Sequence, residues 1–158
     1  MPDWIEEGSP APAFSLKGDD GKTYKLADLK GKPVVVYFYP KDDTPGCTRE
    51  ACAFRDRRKE IEKLGAVVLG VSPDDASSHA KFRKKFDLNF PLLIDENHAL
   101  ADQFGAWREK NMYGKKSMGI VRSTFLIGPD GKVNKAWKKV NVDGHDDQVL
   151  DAIRDLPK

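Results

Sequence analysis

Val34-Val35-Val36-Tyr37-Phe38-Tyr39 is apolar at every position, and Pro40-Lys41-Asp42-Asp43-Thr44-Pro45-Gly46-Cys47 follows it directly. A run rich in β-branched and aromatic residues, without polar alternation, reads as a strand buried on both faces. Thr44 suits a helix N-cap and Pro45 the first helical position, so the spacing predicts a helix over 44–64. Ala66–Val71 repeats the pattern of a doubly buried strand. Strand, helix and strand in this order predict a β-α-β unit at the centre of an α/β fold.

Upstream, Phe14–Leu16 and Thr23–Leu26 flank Gly18-Asp19-Asp20-Gly21, which predicts an N-terminal β-hairpin. Downstream, Asp75–Phe86 reads as a helix, Leu92–Ile94 as a short strand and Asn97–Phe104 as a helix. Ser123–Ile127 is a third strong strand, led into by Ser117–Arg122. The turn Gly128-Pro129-Asp130-Gly131 then reverses the chain into Val133–Val140, expected to run antiparallel. His145–Leu156 closes the chain as an amphipathic helix with Val149, Leu150, Ile153 and Leu156 on one side. The expected architecture is a central mixed sheet flanked by helices. Trp107–Met118 fits no element, and its Arg108, Lys110, Lys115 and Lys116 either line a site or face water.

The 158 residues suit a single domain over 1–158. Lys and Arg number 27 against 25 Asp and Glu, a net charge of +2. That balance argues against a dedicated nucleic-acid binder, whose footprint is a large basic excess. With 39% hydrophobic residues the chain is also not of the disordered class. No apolar run approaches the roughly 18 residues of a membrane span. The start, Met1 to Glu7, lacks the basic-then-apolar pattern of a secretory signal, so a cytoplasmic location is expected. Two cysteines are too few for a disulfide scaffold, which leaves redox or structural thiols.

Cys47 falls at the third helical position if Thr44 caps the helix. Its sulfur then lies near unpaired backbone N–H groups and the positive end of the helix dipole, which favour a thiolate. Gly46 removes a side chain that would shield it. The plain alternative is a small buried hydrophobe. Cys52 stands five positions on, so on an intact helix the two Cα atoms lie about 8–9 Å apart. A disulfide needs less than about 7 Å. Cys52 is therefore either merely packed, or it reacts after the first turns unwind.

His79, His98 and His145 stand far apart without metal-ligand spacing and read as surface residues, so no metal is expected. Trp4, Trp107 and Trp137 read as packing residues. The lysines of Lys81–Lys85 and Lys135–Lys139 read as solvated faces.

Pro40-x-x-x-Thr44-x-x-Cys47 resembles the active-site signature of peroxiredoxins, and Tyr37 to Thr48 is similar to the bacterioferritin-comigratory-protein or peroxiredoxin Q class. Gly8–Phe14, Gly70–Ser72, Phe90–Leu93 with Asp95, and Arg122–Ile127 extend the resemblance over most of the chain in family order. The resemblance implies a thioredoxin-like fold and a thiol peroxidase that reduces hydrogen peroxide and organic hydroperoxides without a cofactor. It implies that Cys47 is the peroxidatic cysteine, shielded by Pro40, hydrogen-bonded by Thr44 and flanked by Arg122. Cys52 would resolve the Cys47 sulfenic acid as an intramolecular disulfide, thioredoxin would reduce it, and the protein would be a monomer. Read alone, Arg122 is as well a strand-end surface residue. Glu50 either orients Arg122 or faces solvent. The competing readings are a thiol–disulfide oxidoreductase, whose Cys-x-x-Cys spacing is absent here, and a non-enzymatic binding module.

Overall fold

The computed structural model describes residues 3–157; Met1 and Pro2 at the chain start, and Lys158, lie outside the described residues. Its centre is a five-stranded sheet in the order β5-β4-β3-β8-β9. These strands are β3 (Val34–Phe38), β4 (Val67–Ser72), β5 (Leu92–Ile94), β8 (Ser123–Ile127) and β9 (Val133–Trp137). β3, β4 and β5 run parallel, while β8 and β9 are antiparallel to their neighbours, so the sheet is mixed as expected. Every residue of β3 and β8 is buried, which is why neither sequence alternates.

One face packs Val35, Tyr37, Tyr39, Leu92 and Leu126 against helices α1 (Pro45–Asp56), α2 (Arg58–Lys63), α3 (Ala76–Phe86) and α5 (His145–Arg154). The other packs Val34, Val36, Phe38, Leu69 and Phe125 against α4 (Ala99–Phe104), with Phe104 at its centre. Strands β1 (Ser15–Lys17) and β2 (Thr23–Lys25) form the N-terminal hairpin, Leu16 opposite Tyr24. No helix among the described residues is long and apolar enough to cross a membrane.

Three expected boundaries change. The helix expected over 44–64 breaks at Arg57, whose guanidinium binds Glu60, Asp146 and Asp147 and so ties the break to α5. The helix expected from Asn97 begins at Ala99, after a 3-10 turn in which Asn97 and His98 take left-handed angles of 56° and 50°. The strand expected to reach Val140 ends at Trp137.

The unassigned segment is a second hairpin, β6 (Trp107–Met112) and β7 (Lys115–Ile120). Its tight turn, Tyr113-Gly114, has φ of 53° and 79°, the positive-φ pair that favours two-residue hairpin loops and glycine at the second position.

His79 and His145 are buried at 0% and 2% exposure, not on the surface. Each has partners on both ring nitrogens: His79 has Asp42 and the Leu93 carbonyl, and His145 has Thr124 across the fold and Gln148 on its own helix. Half-buried His98 lies flat on the Trp107 ring, with centroids 3.6 Å apart. Half-buried Trp4 and Trp137 pack against the two apolar clusters.

Candidate active site

The carboxyl end of β3 delivers the chain to α1 through Tyr39–Thr44, and β8 begins next to the start of that helix. Thr44 has the extended backbone of an N-cap (φ −100°, ψ 155°), and its carbonyl accepts from the Thr48 amide at 2.8 Å. Its side chain does not cap. The hydroxyl donates instead to the Lys41 carbonyl at 2.9 Å. A hydroxyl has one proton, so hydrogen-bonding a thiolate or peroxide requires Thr44 to release Lys41. Pro40, which follows the buried Tyr39, is half-buried.

Cys47 occupies the third position of α1 and is 2% exposed, packed in the apolar cluster with Tyr37, Tyr39 and Ala51. The expectation of a bare sulfur is thus overturned. Gly46 does not uncover the sulfur; it admits a cation. The Arg122 Nη2 donates to Cys47 Sγ at 3.3 Å, and a Cβ on residue 46 would stand 2.9 Å from that same nitrogen. Arg122 reaches from the loop before β8, so the guanidinium crosses from the β7–β8 junction to the helix start.

Glu50, one turn after Cys47, is 2% exposed rather than solvent-facing, and its Oε1 accepts from Arg122 Nη1 at 2.8 Å. The guanidinium therefore holds sulfur on one nitrogen and carboxylate on the other, which fixes its plane. Glu50 Oε2 has no partner among the described residues, and the same is true of the buried Tyr37 hydroxyl. Burial pushes the Glu50 carboxyl up to about 7, against the opposing pull of Arg122.

This shift sets a pH dependence. The unfolded Glu50 value is 4.5 and the folded value is about 7, so its contribution to stability is full below pH 4.5 and fades until pH 7. At about 1.4 kcal/mol per unit the loss is roughly 3 kcal/mol. Urea melts at successive pH values check it: Glu50→Gln flattens this segment of the profile relative to the unsubstituted protein. A decline of equal depth in both proteins assigns it elsewhere.

Cys52 lies half-buried on the same unbroken α1, and both cysteines are free. They do not pair while that helix is intact. Of the four cations in the second hairpin, Lys110 turns to the site. Its stem lies across Gly119, and burial, then the charge of Arg122, lower its pKa while Cys47 raises it. Arg108 covers the Trp4 ring, and Lys115 and Lys116 are exposed. Beside Gly46 and Arg122 a shallow cavity of about 570 Å³ opens, bordered by Arg49, Lys139, Val140 and Val142.

Sequence reasoning missed Asp42 and His79 near this turn. Asp42 is buried and accepts from the Tyr39 hydroxyl at 2.6 Å and from Ser78. The Tyr39-x-x-Asp42 spacing was the only local signal.

The arrangement can activate a sulfur nucleophile and stabilise charge on an oxygen beside it. Known proteins resemble the chain in sequence and fold. Residues 8–136 match the model of the AhpC/TSA family. The chain is 51% identical to peroxiredoxin Bcp of Bacillus subtilis, over 96% of this chain and 97% of that one. It is 44% identical to peroxiredoxin Bcp of Escherichia coli, over 96% and 97%. Among solved structures, peroxiredoxin Q of Xanthomonas campestris superposes with a TM-score of 0.88 at 45% identity, over 94% of this chain and 96% of that one. A structure of the bacterioferritin comigratory protein of the same organism, described for its alkyl peroxide reduction, gives 0.88 at 44% identity, over 94% and 98%.

Proposed function

Since the chain belongs to the AhpC/TSA family and is a peroxiredoxin of thioredoxin-like fold, we propose that Cys47 is the residue that attacks the peroxide. Cys52 resolves the product, and Arg122, Glu50, Thr44 and Pro40 hold the site together. Peroxides are the substrates and a thiol is the reductant. The observation that carries the residue assignment is the guanidinium of Arg122 set between Cys47 Sγ at 3.3 Å and Glu50 Oε1 at 2.8 Å.

The Cys47 thiolate attacks the distal oxygen of the peroxide. An S–O bond forms, the O–O bond breaks, and the sulfur loses two electrons to become a sulfenic acid. The departing oxygen takes a proton and leaves as water or an alcohol. Arg122 counters the negative charge as it moves from sulfur to oxygen, and it is already in place, so no reorganisation slows the step. Thr44 joins by turning its hydroxyl from Lys41, and Pro40 limits water behind the sulfur.

Resolution requires the start of α1 to unwind, because an intact helix keeps the two cysteines too far apart. The Cys52 thiol then attacks the sulfenic sulfur, releasing water and forming the disulfide. A dithiol such as thioredoxin reduces it by exchange, which suits a reducing compartment such as the cytoplasm. The described residues build both apolar clusters on one sheet, which supports one domain over 1–158; an intramolecular disulfide asks for no partner copy and suits a monomer. The thiol–disulfide oxidoreductase alternative falls with the family assignment and the Cys-x4-Cys spacing.

Stopped-flow mixing of reduced protein with peroxide tests the scheme. Both thiols are lost without a covalent dimer. Cys52→Ser keeps the first oxidation rate and loses repeated turnover with a dithiol reductant, accumulating sulfinic acid at Cys47. Sustained turnover in Cys52→Ser, or intermolecular disulfides in the unsubstituted protein, removes Cys52 from the resolving role.

A further inference from the structure

The loop that leads into Cys47 is held from outside the site. Asp42 reaches into the protein at 7% exposure. Its Oδ1 accepts from the Tyr39 hydroxyl at 2.6 Å, and its Oδ2 accepts from the Ser78 hydroxyl and meets His79 Nδ1, both at 2.7 Å. Its backbone amide donates to Asp74 Oδ2 at 2.8 Å, and that oxygen also accepts from Ser72. The next residue, Asp43, has a left-handed φ of 56°, and its carboxylate meets Lys85 at 2.8 Å. Aspartate is among the few side chains that take such a φ readily, so the turn here is a local bend that its neighbours then hold. Tyr39 just after β3, the β4–α3 loop and α3 all hold it.

The proton count at His79 is constrained. Nε2 faces the Leu93 carbonyl at 2.9 Å and Nδ1 faces the Asp42 carboxylate. Both partners are acceptors, and a ring with one N–H satisfies only one of them. Three side chains, Tyr39, Ser78 and His79, converge on the Asp42 oxygens. The pair is closed from water; burial lowers the His79 pKa, the contacts with Asp42 outweigh it and leave it raised, Asp74 is the other carboxylate near it, and Arg83–Asp19 is a separate pair beyond.

We infer that His79 is a positioning residue, which through Asp42 and Ser78 anchors the upstream arm of the Cys47 turn to α3. This rests on the roles proposed above for Cys47 and Cys52. The anchor has two opposite effects. It holds the turn in the geometry in which Cys47 meets Arg122, which speeds peroxide attack. It also resists the unwinding that Cys52 needs, which slows resolution and confines unwinding to residues after Asp43. Neither His79 nor Ser78 touches the sulfur.

Two rate constants separate this role from a general loss of structure. Reduced protein is mixed with hydrogen peroxide, and sulfenic acid, disulfide and sulfinic acid are followed by rapid quench and mass spectrometry. His79→Gln lowers the peroxide rate constant by about tenfold or more, as displaced reacting groups do, while disulfide formation accelerates and the sulfinic fraction falls. Ser78→Ala, which removes one neutral donor and keeps the His79–Asp42 contact, shifts both steps in the same directions by less. It decides the matter alone if His79→Gln does not fold. Unchanged rates in Ser78→Ala and a folded His79→Gln overturn the anchor, and so does slowing of both steps together. If the unsubstituted protein does not oxidise at Cys47, the assignment of Cys47 fails instead, and the two failures are thereby told apart.

Discussion

Replacing Cys47 by Ser leaves a folded protein that no longer consumes peroxide. The substitution exchanges one sulfur for one oxygen at a site 2% exposed, inside an apolar cluster. The fold tolerates it, because Arg122 Nη2, which donates to sulfur at 3.3 Å, donates to a hydroxyl equally well. Burying the hydroxyl costs about 1–3 kcal/mol less whatever that bond returns. Chemistry does not tolerate it. A serine hydroxyl is almost wholly protonated near neutrality, where a positioned thiol has an accessible anion, and a neutral hydroxyl does not take the O–O bond apart. Removal of the nucleophile in other enzymes costs roughly 10⁴-fold or more, and here the residual rate is that of peroxide in buffer with the dithiol reductant. Peroxide consumption over time, with thermal melting by circular dichroism as the control for folding, reads both halves of the expectation. Turnover of even a few per cent of the unsubstituted rate in a folded Cys47→Ser protein transfers the nucleophile to Cys52.

The elements most legible in the sequence were those whose side chains are all buried. Val34–Phe38 and Ser123–Ile127 owe their strand character to local composition, and each pairs along its whole length. The end of α1 was not legible, because Arg57 breaks it by binding Asp146 and Asp147, some ninety residues away. The second hairpin hid for the opposite reason. Its strands carry Arg108, Lys110, Lys115 and Lys116, so no apolar period marks them, and only Tyr113-Gly114 between two six-residue arms was available as a signal.

At the site, chain proximity made Cys47, Thr44 and Glu50 readable as neighbours on one helix start, whereas Arg122 was readable only through resemblance. What the sequence could not carry was direction. Thr44 points its hydroxyl at Lys41, Gly46 makes room for a guanidinium rather than for solvent, and His79 is buried against Asp42. Each is decided by a partner 3 to 76 residues distant in the chain (Lys41 for Thr44, Arg122 for Gly46).

Arg122→Met separates the two jobs of the guanidinium. Methionine fills much of the volume and carries no charge, so the loop before β8 keeps its packing while sulfur and Glu50 lose their shared partner. Loss of one preorganised donor at a developing charge slows such steps by about 10²–10³-fold, and the second-order rate constant for Cys47 oxidation falls by that amount.

Stability responds differently, and it responds to pH. In the unsubstituted protein Glu50 titrates at about 7 with Arg122 pulling that value down. Without Arg122 only burial remains, so Glu50 holds its proton beyond neutrality. Below pH 6 Glu50 is protonated in both folded proteins, and the two differ only by the lost hydrogen bond. Above pH 7 the unsubstituted protein has already ionised Glu50 and its stability no longer falls on this account. The variant continues to lose about 1.4 kcal/mol per pH unit until its own, higher value is reached. The gap between the two urea-melt profiles therefore widens from pH 7 upward. A gap constant from pH 5 to 9 would mean that Arg122 does not govern Glu50. An unchanged oxidation rate in the folded variant would remove Arg122 from the reaction.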